Sequence, residues 1–349
     1  VNDGSERTVG IGSSGGQSGR RSPVRGPRVV ALGGGHGLHA SLSALRRITD
    51  DLTAIVTVAD DGGSSGRIRR ELPVLPPGDL RMALTALAGH EPEHARWAEV
   101  LQHRLGGDGV LAGHPVGNLV MTGLLERAND PVDALAELGR LIGAVGRVLP
   151  MSPVPLDLIA EADRFDPADP ERIRRIRGQS SIAGTAGRIR SVRLLPAGAP
   201  ACAAAVDAVR DADLVVLGPG SWFTSVLPHL LLRELGHAIV HTRGRVMVVL
   251  NLVPQAGETD QYEPDELVRL LHTHAEPAGR LRIDTILADQ TALLDGQPLS
   301  AYARTTGARL IVSRLASDGS AEQHDPVRLS EAFRVALRGG GTAEGNTWQ

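Results

Sequence analysis

The chain contains no lysine, and all 37 of its basic residues are arginine. That absence removes Schiff-base chemistry, lysine general bases and the Walker-A lysine, and it leaves any phosphate clamp to arginine or to backbone N–H groups. Cysteine is nearly absent too. Cys202 alone cannot make an intrachain disulfide, a zinc ribbon or a cysteine-ligated cluster, and it suits a reducing compartment. No run of about 18 apolar residues is present to span a bilayer, and Val1 to Arg28 lacks the apolar stretch of a signal peptide. A cytoplasmic chain with no membrane insertion is the expectation. With 37 basic against 40 acidic residues the formal charge is −3, so no molecule-wide field draws the protein onto nucleic acid. Three Trp, two Tyr and three Phe leave few rings for stacking on a base, and of those in polar loops Tyr262 is the one expected to touch a ligand.

What is there is a globular core between two polar ends. At 349 residues the chain is long enough for about two domains. Residues 1–27 are Gly, Ser and Arg with scattered polar groups and read as a disordered tail, as do residues 339–349 at the other end. Between them, short Val/Ile/Leu runs alternate with Ala/Leu/Arg helical patterns. This is the pattern of an α/β, Rossmann-like, doubly wound and mostly parallel sheet. Strands are expected at Arg28–Leu32, Thr53–Ala59, Leu214–Leu217, Ala238–His241, Val246–Leu250, Ile283–Ala288 and Leu310–Ser313. Residues 146–195 break the pattern, because several prolines and alternating Ile/Arg favour short antiparallel strands. That segment is expected to be an inserted small subdomain or lid dividing the core into 28–145 and 196–338.

The first expected strand runs into Gly33-Gly34-Gly35-His36-Gly37-Leu38, followed by a helix. Glycines there let backbone N–H groups approach an anion, and the helix N-terminus adds its partial positive charge. The dinucleotide fingerprint fails at its last position, where Leu38 stands, which weakens a dehydrogenase reading. The second strand ends in Asp60-Asp61-Gly62-Gly63-Ser64-Ser65-Gly66-Arg67. Either aspartate could accept from a ribose hydroxyl or hold Mg²⁺ on a phosphate, and Arg67 could clamp one; a solvated turn explains the same residues. Asp79 and Asn118 each stand at an expected helix start, where a cap and a ligand contact are equally plausible, and Arg81 follows in the first turn.

Two further matches have weak context. Gly62-Gly63-Ser64-Ser65-Gly66 fits the G-x-S-x-G of serine hydrolases, for which His324 and Asp325 are a thin pair of partners. His90-Glu91-Pro92-Glu93-His94 fits a zinc-protease pattern, but Pro92 inside it argues against two imidazoles on one helix face.

In the second half, Gly218-Pro219-Gly220-Ser221 repeats the strand, glycine turn and helix logic, with Thr224 and Ser225 offering further hydroxyls. Asn251 ends another buried run that leads to Glu258-Thr259-Asp260-Gln261-Tyr262. Several such turns along one carboxyl edge point to a ligand site more strongly than any one alone.

Taken in order, ALGGGHGLHASLSALR, TVADDGGSSGRIR, PPGDLR, GHPVGNLV, GPGSWFTSVLPHLL and NLVPQAGETDQY closely resemble the YvcK family of gluconeogenesis factors, from about Arg28 to Leu337. That family is similar to the 2-phospho-L-lactate transferases of the CofD superfamily. The resemblance implies a cytoplasmic, Rossmann-like protein that binds UDP-N-acetylglucosamine and supports cell shape on gluconeogenic carbon sources, with no established reaction. By motif position it implies a pocket of Gly33 to Gly37, Asp60, Asp61, Ser64, Arg67, Asp79, Arg81, Asn118, Gly220, Ser221, Asn251, Glu258, Thr259, Asp260 and Tyr262. Many members have Thr in place of His36, Asn in place of Met82 and an acidic residue in place of Gln179. The leading expectation is therefore a nucleotide-sugar-binding regulator. The alternative is a Mg²⁺-dependent transferase with Asp60 and Asp61 on the metal. A homo-oligomer and partners in cell-wall synthesis are left open.

Overall fold

The computed structural model describes residue 1 and residues 26–293 and 297–338. The tails expected at 1–27 and 339–349 lie outside the described residues except at Val1, Gly26 and Pro27. The Pro27 carbonyl accepts from Thr49 Oγ1 at 2.8 Å.

The amino-terminal half runs β1 (Val29–Gly33), α1 (Gly35–Leu45), β2 (Leu52–Val56), α2 (Gly63–Glu71), α3 (Pro77–Ala86), α4 (Pro92–Gln102), α5 (Val116–Arg127), α6 (Pro131–Leu141) and β3 (Arg147–Pro150). An excursion follows: β4 (Asp157–Asp163), β5 (Arg174–Arg177), α7 (Gln179–Ala183) and β6 (Arg188–Leu195). The chain returns through α8 (Ala203–Asp211), β7 (Leu214–Leu217), a π-helical turn (Trp222–Val226), α9 (Pro228–Leu231), α10 (Arg233–Val240) and β8 (Arg245–Val249). It ends with α11 (Pro264–Ala275), β9 (Thr285–Asp289), α12 (Gln297–Thr306), β10 (Arg309–Ser313), the hairpin β11 (Ala316–Ser317) and β12 (Ser320–His324), and α13 (Pro326–Arg338).

Seven strands form one parallel sheet in the order β10-β9-β8-β7-β1-β2-β3. Strands β1, β2, β7 and β9 are buried at every residue, as a sheet covered on both faces requires. The expected α/β, Rossmann-like architecture is what the chain adopts. One expected strand is not: Ala238–His241 falls at the end of α10, where Leu235, Ala238 and Ile239 share a buried face at helical spacing. A three-residue apolar run is ambiguous between strand and helix, and here packing selects the helix. The seventh strand is instead Arg147–Pro150, at the sheet edge, where Pro150 removes no essential ladder donor.

The three-stranded antiparallel sheet β5-β4-β6 lies within residues 146–195, the segment expected to hold such strands. Arg188 on β6 reaches Glu266 of α11 at 2.8 Å, which ties this sheet to the core.

Strand order reverses between β1 and β7. The first half of the chain builds outward from β1 in one direction and the second half from β7 in the other, so a crevice opens at their carboxyl ends. The turns after the two strands touch. A Cβ added at Gly37 would sit 2.2 Å from the Pro219 carbonyl oxygen and 2.6 Å from Gly220 Cα. Gly37→Ala should therefore force the turns apart and cost about 1–3 kcal/mol, the range for overpacking a tight contact. Chemical denaturation measures it; an unchanged midpoint would contradict the tight approach.

Candidate functional site

The turn after β1 leaves the N-terminus of α1 without a side-chain cap, since its N-cap residue is Gly34. A carboxylate from another helix supplies the missing acceptor. Asp79, in the first turn of α3, accepts from the Gly35 N–H, and a Cβ added at Gly34 would meet Asp79 Oδ2 at 2.4 Å. Burial pushes the Asp79 carboxyl up to about 7, the nearby Asp60 charge adds to that, and the Gly35 N–H and Arg81 oppose it.

The segment after β2 brings Asp60 to the same place. Asp60 Oδ1 accepts from Gly62 N at 2.9 Å, and burial raises its carboxyl above the usual range. Its neighbour turns elsewhere. Asp61 Oδ1 accepts from Ser180 N at 2.9 Å and so holds the start of α7. Arg67 is likewise committed, its Nη2 donating to Ala112 O at 2.9 Å and its Nη1 to Val110 O at 3.4 Å. The expected acid pair Asp60/Asp61 thus becomes Asp60/Asp79. The expected clamp Arg67 instead secures the loop that ends at His114.

The arginine that does enter the site is Arg81. It is only 4% exposed, its Nε donates to Asn118 Oδ1 at 2.8 Å, and its Nη1 is buried with no hydrogen-bond partner among the described residues. Burial lowers its pKa to about 10, Arg104 adds to that and Asp79 opposes it. Asn118 Nδ2 donates to Ser64 Oγ at 2.9 Å, and Ser64 Oγ lies 2.7 Å from His114 Nδ1. Arg81, Asn118 and Ser64 are thus joined by hydrogen bonds, and the Asp79 charge acts on Arg81. His114 was not singled out from the sequence, although it lies in the quoted GHPVGNLV segment, three residues before Gly117-Asn118.

From the other half come Gly218 to Ser221. Asn251 Oδ1 accepts from Gly220 N at 2.8 Å while its Nδ2 donates to Gly220 O at 3.0 Å and to Gln255 Oε1 at 3.1 Å. Glu258 accepts from Ser221 Oγ at 2.6 Å and from Phe223 N at 2.8 Å, capping the π-helical turn; burial raises its pKa. Thr224 Oγ1 bonds to Ser221 Oγ, Thr259 Oγ1 accepts from Gln255 N at 2.8 Å, and Ser225 Oγ faces Gly34. These polar groups brace the turn behind the crevice. Asp260 is exposed. Tyr262 is turned to the small sheet: its hydroxyl donates to the Ile189 carbonyl, its ring packs on Phe223 at 5.5 Å, and the Arg188 guanidinium lies 4.4 Å from the ring centre. Arg188 thus covers one face of the ring, and Tyr262 stays half-buried.

Beside these turns a cleft of about 780 Å³ runs between α1, the Asn251–Ala256 loop and the β11–β12 hairpin, with His36, Gly37, Gly220, Asn251, Gln255 and His324 on its walls. The partners expected for the two weak matches are engaged elsewhere. Asp325 caps α13 through Val327 N and Arg328 N, and burial lowers His324 to about 4. His90 Nε2 pairs with Arg46 at 3.1 Å, and among the described residues no group of three His, Cys, Asp or Glu is placed to hold a metal.

Asp79 makes a pH signature. Its folded pKa of about 7 lies above the ordinary 3.8, so the folded chain holds a proton that the unfolded chain has lost between those values. Stability through this group is fully present below about 4 and is lost as pH rises toward 7, by up to about 1.4 kcal/mol per unit. Asp79→Asn should therefore stabilise the protein by an amount that grows from pH 4 to pH 7 and then levels, as read from melting temperatures. A pH-independent effect would contradict the buried carboxyl.

Comparison with known proteins gives the family of the chain. Residues 29–320 match the family model described as 2-phospho-L-lactate transferase CofD. A gluconeogenesis factor of Bacillus subtilis is 36% identical over 269 residues, covering 77% of this chain and 80% of its own. A Mycobacterium tuberculosis protein that bears the name provisionally is 50% identical over 320 residues, 90% of this chain and 92% of its own. The crystal structure of a UPF0052-family protein from Bacillus halodurans superposes with a TM-score of 0.77 at 32% identity, covering 89% of this chain and 99% of that one. The chain belongs to the CofD family, on the branch of the gluconeogenesis factors, the YvcK or UPF0052 proteins.

Proposed function

We propose that this protein is a nucleotide-sugar-binding regulator whose ligand diphosphate lies in the crevice between the β1 and β7 turns. The observation that carries the reading is Arg81. A buried guanidinium with an unpartnered Nη1 is costly in a folded protein unless an anion completes it. It stands two residues after the carboxylate that meets the N-terminus of α1, at the topological switch point where open α/β sheets bind ligands. UDP-N-acetylglucosamine is the ligand that the family resemblance implies. The regulator would join carbon metabolism to cell-wall synthesis and cell shape in the cytoplasm. No helix among the described residues is long and apolar enough to cross a membrane.

The second reading is a transferase, and the Asp60/Asp79 pair favours it. Two carboxylates held above their usual pKa by burial, the Asp60 charge acting on Asp79, would be relieved by a divalent cation, and hard oxygen donors suit Mg²⁺. Asp60 and Asp79 would hold the ion, and it would neutralise charge on the ligand's phosphates.

Titration with UDP-N-acetylglucosamine separates these outcomes. Ligand at 100 times its Kd should stabilise the native chain by about 2.7 kcal/mol. Arg81→Met should abolish the shift while leaving the unliganded protein folded. No thermal shift at millimolar ligand would overturn the binding reading. Consumption of the ligand, dependent on Mg²⁺ and lost in Asp79→Asn, would favour the transferase.

A further inference from the structure

The Ser64–His114 contact ends a chain of hydrogen bonds whose first part is fixed in direction. Arg81 Nε can only donate, so Asn118 must present Oδ1 to it and Nδ2 to Ser64. Ser64 Oγ therefore accepts from Asn118, and it lies 2.7 Å from His114 Nδ1, to which it donates when the imidazole carries its proton on Nε2. Burial and Arg67 lower the His114 pKa, with Glu71 opposing, which favours the neutral imidazole that such a donation requires. A serine whose proton is directed into a neutral imidazole presents a lone pair outward, the arrangement of an activated nucleophile and its base.

The surroundings suit an anionic electrophile. Ser64 is the second residue of α2, a nine-residue helix whose N-cap, Gly62, offers no side chain, so the first N–H groups of the helix are left for an outside acceptor. Ser64 itself is 8% exposed, beside Gly63, which is exposed and where an added Cβ would meet nothing within 4 Å. Through Asn118 the same chain reaches the buried, unpartnered Nη1 of Arg81. Hydrogen-bond donors and a guanidinium match the charge of a phosphoryl group better than that of a neutral acyl carbonyl.

We propose that Ser64 is a nucleophile for phosphoryl transfer, with His114 as its general base. In the step, Ser64 Oγ forms a bond to the phosphorus of a phosphate ester or anhydride as its proton passes to His114 Nδ1. The bond from phosphorus to the leaving oxygen breaks, that oxygen takes the electron pair, and the proton then moves to it from His114. The products are a phosphoester on Ser64 and the departed alcohol or phosphate. This pairing does not depend on which nucleotide sugar, if any, the crevice binds.

A fluorophosphonate probe tests it, because Oγ attack forms the same O–P bond and expels fluoride. Intact-mass measurement on the full chain should show one adduct, mapped by peptide sequencing to Ser64 and absent in Ser64→Ala. His114→Gln, which removes the base, should slow labelling about 100-fold or more. In case Ser64→Ala does not fold, the Ser64→Cys variant gives a second readout. Iodoacetamide should alkylate the thiol at position 64, and His114→Gln should slow that reaction while leaving any reaction at Cys202 unchanged. No adduct on Ser64 under conditions that label trypsin, or labelling rates indifferent to His114→Gln, would overturn the proposal.

Discussion

The close approach of two backbone turns at the centre of the sheet is the constraint on which the rest of the site depends. Gly37 lies against the Pro219 carbonyl, and no side chain could stand between them. Because β1 and β7 are neighbours in the sheet while their crossovers leave in opposite directions, the turns that follow must share one crevice. Glycine at position 37 thus serves contact between the halves of the protein. Gly34 makes room for Asp79 and Ser225, and Gly35 takes a positive φ of 55° and donates its N–H to that same carboxylate.

Behind this contact the protein keeps charge where water is scarce. Asp60, Asp79 and Glu258 are all raised by burial, and Arg81 is lowered by it. Glu258 is answered inside the protein by Ser221 and the Phe223 N–H. Arg81 is answered only in part. Charge that is buried and incompletely paired costs stability, and sites that bind or transform charged ligands are where such a cost is retained.

The small antiparallel sheet is fastened to both halves of this edge. Asp61 accepts from Ser180 at the start of α7, the Tyr262 hydroxyl donates to Ile189 on β6, and Gln179 reaches Thr224 at 3.5 Å. Residues that look like ligand contacts in sequence therefore hold the inserted sheet against the crevice. Their placement shows how polar side chains beside a glycine turn can serve the crevice indirectly, by fixing the wall that faces it.

The sequence by itself determined the class of the fold and the edge on which the site lies. Strands buried on both faces must be continuous Val, Ile, Leu and Ala runs, and glycine turns after β1, β2 and β7 are local features that survive without knowledge of contacts. It also carried Arg81, Asn118 and Ser64, because helix starts and glycine loops are legible from spacing. Only tertiary structure decided what each polar group faces. Asp61, Arg67 and Tyr262 have partners 45 to 119 residues away along the chain, and His114 meets Ser64 across 50 residues. No periodicity encodes such pairings. The short run Ala238–His241 shows the same limit within secondary structure, since three apolar residues satisfy either a strand or a helix until the surface they must bury is known.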